Sequence, residues 1–158
     1  MVVTSDSDRS AVYAAEDQWT AILDRGGTVD FFGSTLTIPV QRRFGDLAAV
    51  RAYVERACAT VGIDSPHVRV RKGHTRAHFE SLPATIAIPG VDGALAGTWA
   101  ARETVVLHEV AHHWTFIDHR SVAHDARFRT AMITLVTHTL GDEAALLLRA
   151  GYDGAIRG

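Results

Sequence analysis

The sequence predicts an α+β domain with segregated layers. Three observations carry this expectation. Helical periodicity occupies the start and most of the last third, the middle alternates in short β-branched runs, and glycine or proline punctuates the joints. At 158 residues the chain fits one compact domain, residues 1–158, with enough length to bury a sizeable core. Within it, residues 7–97 supply helices and a sheet, and residues 98–150 a helical part.

Ser7 to Arg25 reads as a first helix, with Ala11, Val12, Ala15, Trp19, Ile22 and Leu23 on one face and Gly26-Gly27 as its stop. Ser34 to Val40 alternates and is β-branched, which suits a strand. Asp46 is placed to cap a second helix, Leu47 to Val61, ended by Gly62. Strands are expected at His67–Arg71, more weakly at Ala77–Glu80, and at Ala84–Ile88. Pro83 and Pro89 bracket the last of these, which assigns it to the edge of a short mixed or antiparallel sheet. Residues 90–97 form a glycine-bearing loop. From Thr98 the pattern turns helical through Val105, Val106, Val110, Trp114 and Ile117. It breaks over Asp118–Ser121, resumes as a helix over Val122–Leu140 with Ser121 as its cap, and restarts after Gly141 in a short helix to Ala150. The end, GYDGAIRG, is expected to fray.

Composition excludes several functional classes. A content of 47% hydrophobic and 22% charged residues is ordinary for a soluble domain. The net charge of −2 argues against strong nucleic-acid or anionic-lipid binding. Arg69, Arg71, Lys72 and Arg76 read as a solvated strand and turn. No apolar run approaches the ~18 residues of a membrane span. The start of the chain lacks a signal pattern. Cys58 is the single cysteine, which rules out an intramolecular disulfide and a thiolate zinc cluster. A cytoplasmic, reducing location is the expectation. Nothing in the sequence speaks to oligomeric state.

The informative stretch is His108-Glu109-Val110-Ala111-His112. Positions four apart on a helix differ by about 40° of rotation and ~6 Å of rise, so both imidazoles project from one face. Two nitrogens can then meet one Zn²⁺ at roughly 2.0–2.1 Å each. Glu109, beside the first ligand, can reach water at the metal without being a ligand itself and accept its proton. A chain with nine histidines holds such a pentad by chance on the order of 2% of the time. The pentad alone is therefore suggestive, and its position inside a well-patterned helix strengthens it.

A hydrolytic zinc site usually has three protein ligands and an open position. Candidates for the third are His113, Asp118, His119, His124 and His138. His113 points about 100° away from His112, and His119 lies ~10 Å along a continuing helix. His138 lies four turns beyond His124, and His67, His74 and His78 sit among the strands. His124 is favoured, because a helical hairpin folds it back over the first pair. Asp118 is its rival, and requires a turn near Thr115 to swing it toward the metal.

HEVAHH followed by AHDARF resembles the HExxH…HGxxF arrangement of SprT-like and WLM metallopeptidases in the zincin-type folds. It is closer still to the small HExxH metallohydrolases of actinobacteria. The resemblance spans Thr98–Val136 and extends loosely to the strands before it. It implies a small zincin-like fold with an edge strand over the HExxH helix. It also implies one Zn²⁺ per chain on His108, His112 and His124, with Glu109 catalytic and Phe128 a packing aromatic. Asp125 stands where SprT-like chains usually have glycine; it can cap a helix or orient a ligand, and both roles remain open. SprT-like proteins often carry a zinc ribbon or basic extension for DNA, which one cysteine and an acidic balance do not supply.

The expected function is zinc-dependent hydrolysis, with an extended peptide adding alongside Ala84–Ile88 as substrate. Two alternatives are hydrolysis of a small amide or ester and a non-catalytic metal-binding interaction domain. Arg127, His113, His74 and Tyr152 are residue types that can stabilise an oxyanion, and none stands out.

Overall fold

The computed structural model describes residues 5–73, 76–90, 94–95 and 98–157. Among these, five α-helices and two small sheets form an α+β fold, as the pattern predicts. The chain groups into two compact units. One comprises residues up to Gln41 together with those from Val122 onward, and the other is Arg42–Ser121.

The first unit begins with helix α1, Arg9–Arg25, which buries Val12, Ala15, Trp19 and Leu23. It ends where Gly26 takes a positive φ of 65° and its N–H donates to the Ile22 carbonyl at 2.9 Å. An antiparallel hairpin follows, β1 (Gly27–Phe31) with β2 (Ser34–Ile38). Both residues of its turn, Phe32 and Gly33, have positive φ, the mirror-image turn that matches strand twist. β1 is absent from the sequence expectation, and the reason is physical. It is mostly exposed, so it carries no apolar alternation, and phenylalanine is an uncommon occupant of the left-handed region.

Two helices complete this unit. Helix α4 runs Ala126–Leu140. The expected start at Val122 with Ser121 as cap is corrected: Asp125 is the cap, accepting from the backbone N–H of Arg127 (3.1 Å) and Phe128 (3.2 Å). Helix α5, Asp142–Arg157, does not stop at Ala150. Two internal glycines cost about 1 kcal/mol each in an exposed helix. Packing outweighs them here, because Tyr152 is buried and its hydroxyl donates to the buried carboxylate of Glu16 on α1. Trp19 adds an indole N–H bond to the Ala144 carbonyl at 3.0 Å.

The second unit opens with helix α2, Leu47–Thr60, capped as expected by Asp46 accepting from the Ala49 N–H at 2.8 Å. A three-stranded sheet follows, from β3 (His67–Lys72), β4 (His78–Ser81) and β5 (Ala84–Gly90), in the order β3-β5-β4. β3 is parallel and β4 antiparallel to β5, so the sheet is mixed. The expected edge position of Ala84–Ile88 is wrong: β5 is the central strand. Pro83 precedes it, and β4 pairs only as far as Ala87, so Pro89 lies where β5 has a neighbour on one side alone. Beyond Ala84 the strand is buried throughout, which is why its sequence is apolar at nearly every position.

A short 3₁₀ turn, Trp99–Ala101, leads into helix α3, Glu103–His119. The start of α3 is pinned by the buried Glu103 carboxylate, which accepts from the Arg42 N–H at 2.9 Å and from the Tyr53 hydroxyl. Val106, Leu107, Val110 and Ala111 of α3, Val50, Val54 and Ala57 of α2, and Ile86 and Ile88 of β5 are buried. No helix among the described residues is long and apolar enough to cross a membrane.

Candidate metal centre

His108, Glu109 and His112 occupy the middle of α3, where the helix is buried almost all round. The two imidazoles are neighbours, with ring centroids 4.9 Å apart and planes at 73°. Fractional exposures of 4%, 3% and 7% remove all three residues from bulk water. Burying a polar triad in a helix core is costly unless the groups have work or partners there.

The helix continues past the point where the rival ligand needed a turn. The Thr115 hydroxyl donates back to the Ala111 carbonyl at 3.1 Å, and α3 runs on to His119, where Arg120 adopts the left-handed conformation with φ 54° and caps it. Asp118 is consequently carried to an exposed position near the helix end, as is His119. Further along, His124 falls in the non-helical segment just before the Asp125 cap. His108 and His112 of the second unit and His124 of the first are all buried imidazoles of a type that could serve a metal ion.

His124 is held firmly. Its Nδ1 lies 2.7 Å from Asp6 Oδ2, and its backbone N–H donates to Asp6 Oδ1 at 2.9 Å. Its carbonyl accepts from Arg129 Nη1 at 3.1 Å, and that guanidinium also pairs with Asp8 at 2.7 Å. Phe128 and Tyr13 flank the ring at 5.0 and 5.1 Å. Partial burial of Asp6 works against its charge, but the side-chain and backbone hydrogen bonds from His124 prevail and hold its carboxyl below the usual range. Asp6 is the residue that sequence reasoning missed. It lies 118 positions from its partner, and no local pattern signals a contact at that range.

The other histidines are placed elsewhere. His113 is buried on α3 with Nε2 2.7 Å from the Asp64 carbonyl and its ring 5.7 Å from Phe79. Its burial, opposed by the Asp64 carbonyl, holds its pKa below the ordinary value. His78 bonds Glu80 at 2.9 Å, whereas His67 and His138 are exposed. His74 lies outside the described residues, as do five positions of the 90–97 loop. Of the remaining oxyanion candidates, Arg127 is exposed and the Tyr152 hydroxyl is committed to Glu16. The basic cluster is tied down locally, Arg69 to Glu80 and Arg71 to the Arg76 carbonyl at 2.8 Å. Burial pushes the Cys58 thiol up to about 11, which leaves it inert as a nucleophile and as a ligand.

Asp125, for which capping and ligand orientation were both open, serves as the α4 cap. The carboxylate that holds His124 is Asp6 instead. No protein-family model, no curated protein and no solved structure matches this chain significantly.

Proposed function

We propose that the protein is a zinc-dependent hydrolase with a zincin-like centre. Its ligands are His108, His112 and His124, and its general base is Glu109. The observation that carries the reading is the pair of buried imidazoles one helical turn apart on α3, ring centroids 4.9 Å apart, with the buried Glu109 next to the first and a third buried imidazole, His124, held at Nδ1 by Asp6. The donor set fits the metal. Three neutral imidazoles suit a borderline-soft ion that bonds nitrogen at ~2.0–2.1 Å, and no thiolate competes. The Asp6 carboxylate on Nδ1 of His124 points to Nε2 as its ligating atom.

Bound zinc supplies Lewis acidity, lowering the pKa of water toward ~7 and polarising a substrate carbonyl. The chain's own contribution is proton transfer and exclusion of solvent. Glu109, one residue from His108, takes the proton of the attacking water on a carboxylate oxygen and returns it to the leaving group. The apolar surroundings of α3 keep water scarce around that carboxylate, which strengthens its interactions at the moment of reaction.

A peptide is the favoured substrate class. β4 packs beside α3, with Phe79 6.1 Å from Phe116, and among the described residues it pairs within the sheet only with β5. An extended chain can add to β4 as a further strand; β5 has a neighbour on both sides over Thr85–Ala87 and offers no edge there.

Metal content and one substitution test the reading. Tag-free protein should carry near one equivalent of zinc by elemental analysis. Zero uptake even after zinc addition would remove the hypothesis. Glu109→Gln should retain that zinc and lose about 10²–10⁴-fold in kcat on any peptide or ester found in a fluorogenic screen. Full turnover by this variant would assign the base elsewhere.

A further inference from the structure

We propose that Asp6 is a positioning residue for the metal centre: its carboxylate locks His124 in the Nδ1–H tautomer and so presents Nε2 as the third ligand atom. The inference rests on the zinc reading of the site. Two contacts made by one carboxylate carry it, Oδ2 to Nδ1 at 2.7 Å and Oδ1 from the His124 backbone N–H at 2.9 Å. Together they fix both the position of the residue and the rotation of its ring.

A single contact would not do this. His124 sits outside regular structure, between the end of α3 and the Asp125 cap, so no helical hydrogen-bond ladder sets its backbone. Without external holders its ring could sample several rotamers, and each ordered side chain costs conformational entropy on metal binding. Asp6 removes that freedom in advance. Arg129 acts on the other side of the same residue, bonding its carbonyl at 3.1 Å while anchored by Asp8 at 2.7 Å. The short acidic segment Asp6–Asp8 thus holds His124 directly at its N–H and ring, and through Arg129 at its carbonyl.

The tautomer follows from the same geometry. A carboxylate only accepts, so at 2.7 Å the proton belongs on Nδ1. Free neutral imidazole shares its proton between both nitrogens, and a ligand must offer a lone pair. A carboxylate on the far nitrogen also makes the ligating nitrogen more basic, an effect worth about 10–100-fold in metal affinity when such partners are removed.

The test uses the full chain, with Asp6→Ala and the isosteric Asp6→Asn beside wild type. Long-range ¹⁵N–¹H correlation spectra of metal-free, histidine-labelled protein read the tautomer without any metal. Wild-type His124 should be protonated on Nδ1, and Asp6→Ala should shift it toward a mixture. Competition with a chromogenic chelator then reads zinc affinity. Asp6→Ala should bind about 10–100-fold more weakly, and Asp6→Asn should also lose affinity. The d–d absorption of cobalt-substituted protein should change in band shape in the variants, which a purely structural loss would not produce. An Nε2–H tautomer in wild type overturns the proposal. So does unchanged zinc affinity in folded Asp6→Ala, or in Asp6→Asn should the alanine variant not fold. If wild type takes up no zinc at all, the metal reading fails by itself, and the tautomer spectra still judge the role of Asp6.

Discussion

At the scale of single residues, the third ligand is the sharpest question. His124→Ala should lose zinc or bind it weaker by orders of magnitude, whereas Asp118→Ala should leave occupancy nearly intact. Chelator competition on both variants decides it, and the reverse pattern would overturn the assignment. The basis is geometric: α3 runs unbroken through Thr115 and carries Asp118 to an exposed site, while His124 is buried with its ring held by Asp6. The first pair was legible in the sequence because a spacing of four on a helix is a local fact. The break before His124 was legible because the helical pattern visibly stops there. Asp6 was not legible, since the hydrogen bond that gives it importance spans 118 residues. Asp125 illustrates a third case: its type suggested two roles, and only the backbone geometry chose between them.

Among the elements, α4 offers a clean measurement. Its cap depends on one side chain accepting from two backbone N–H groups. Asp125→Ala should destabilise the metal-free protein by about 1 kcal/mol, read from denaturant midpoints at constant slope. A change within experimental error would mean that water satisfies those donors equally well. Element identity was largely readable, since α1, α2, α3, β2, β3 and β5 all fall near their expected positions. Strand order was not. The prolines flanking β5 argued for an edge, yet the run Ala84–Ile88 is apolar at nearly every position, which is the mark of a strand buried on both faces. The two signals conflicted, and burial won because β4 is too short to require a donor from Pro89. β1 failed for the opposite reason: an exposed hairpin strand has no apolar signature to read.

For the molecule as a whole, the bond from Tyr152 to Glu16 is a useful probe because it joins the last helix to the first. Burial, together with the adjacent Glu16 charge and hydrogen bond, raises the Tyr152 pKa well above its ordinary value. The unfolded chain therefore releases this proton from about pH 10 upward while the folded chain still holds it. The stability that follows is fully present below about pH 10 and is lost as pH rises through that region. Tyr152→Phe should lower stability at neutral pH by roughly 1.5–3 kcal/mol, the range for hydrogen bonds to charged partners. Its decline above pH 10 should be shallower than wild type. Denaturant melts across pH 7–11 provide the comparison, and parallel curves for the two proteins would show that the group does not titrate as its burial implies.

Because α1 packs on α5, the order in which the ribosome delivers the chain has consequences. α1 is complete at Arg25, and α5 begins at Asp142. At ~5–20 residues per second, roughly 6–25 s pass during nascent-chain elongation before the partner face exists. Through that interval Val12, Trp19 and Leu23 present an uncovered apolar stripe, a natural handhold for a chaperone, while Arg42–Ser121 emerges as an uninterrupted segment that can fold during synthesis. Asp6 waits for the same reason, without its histidine until 118 residues later.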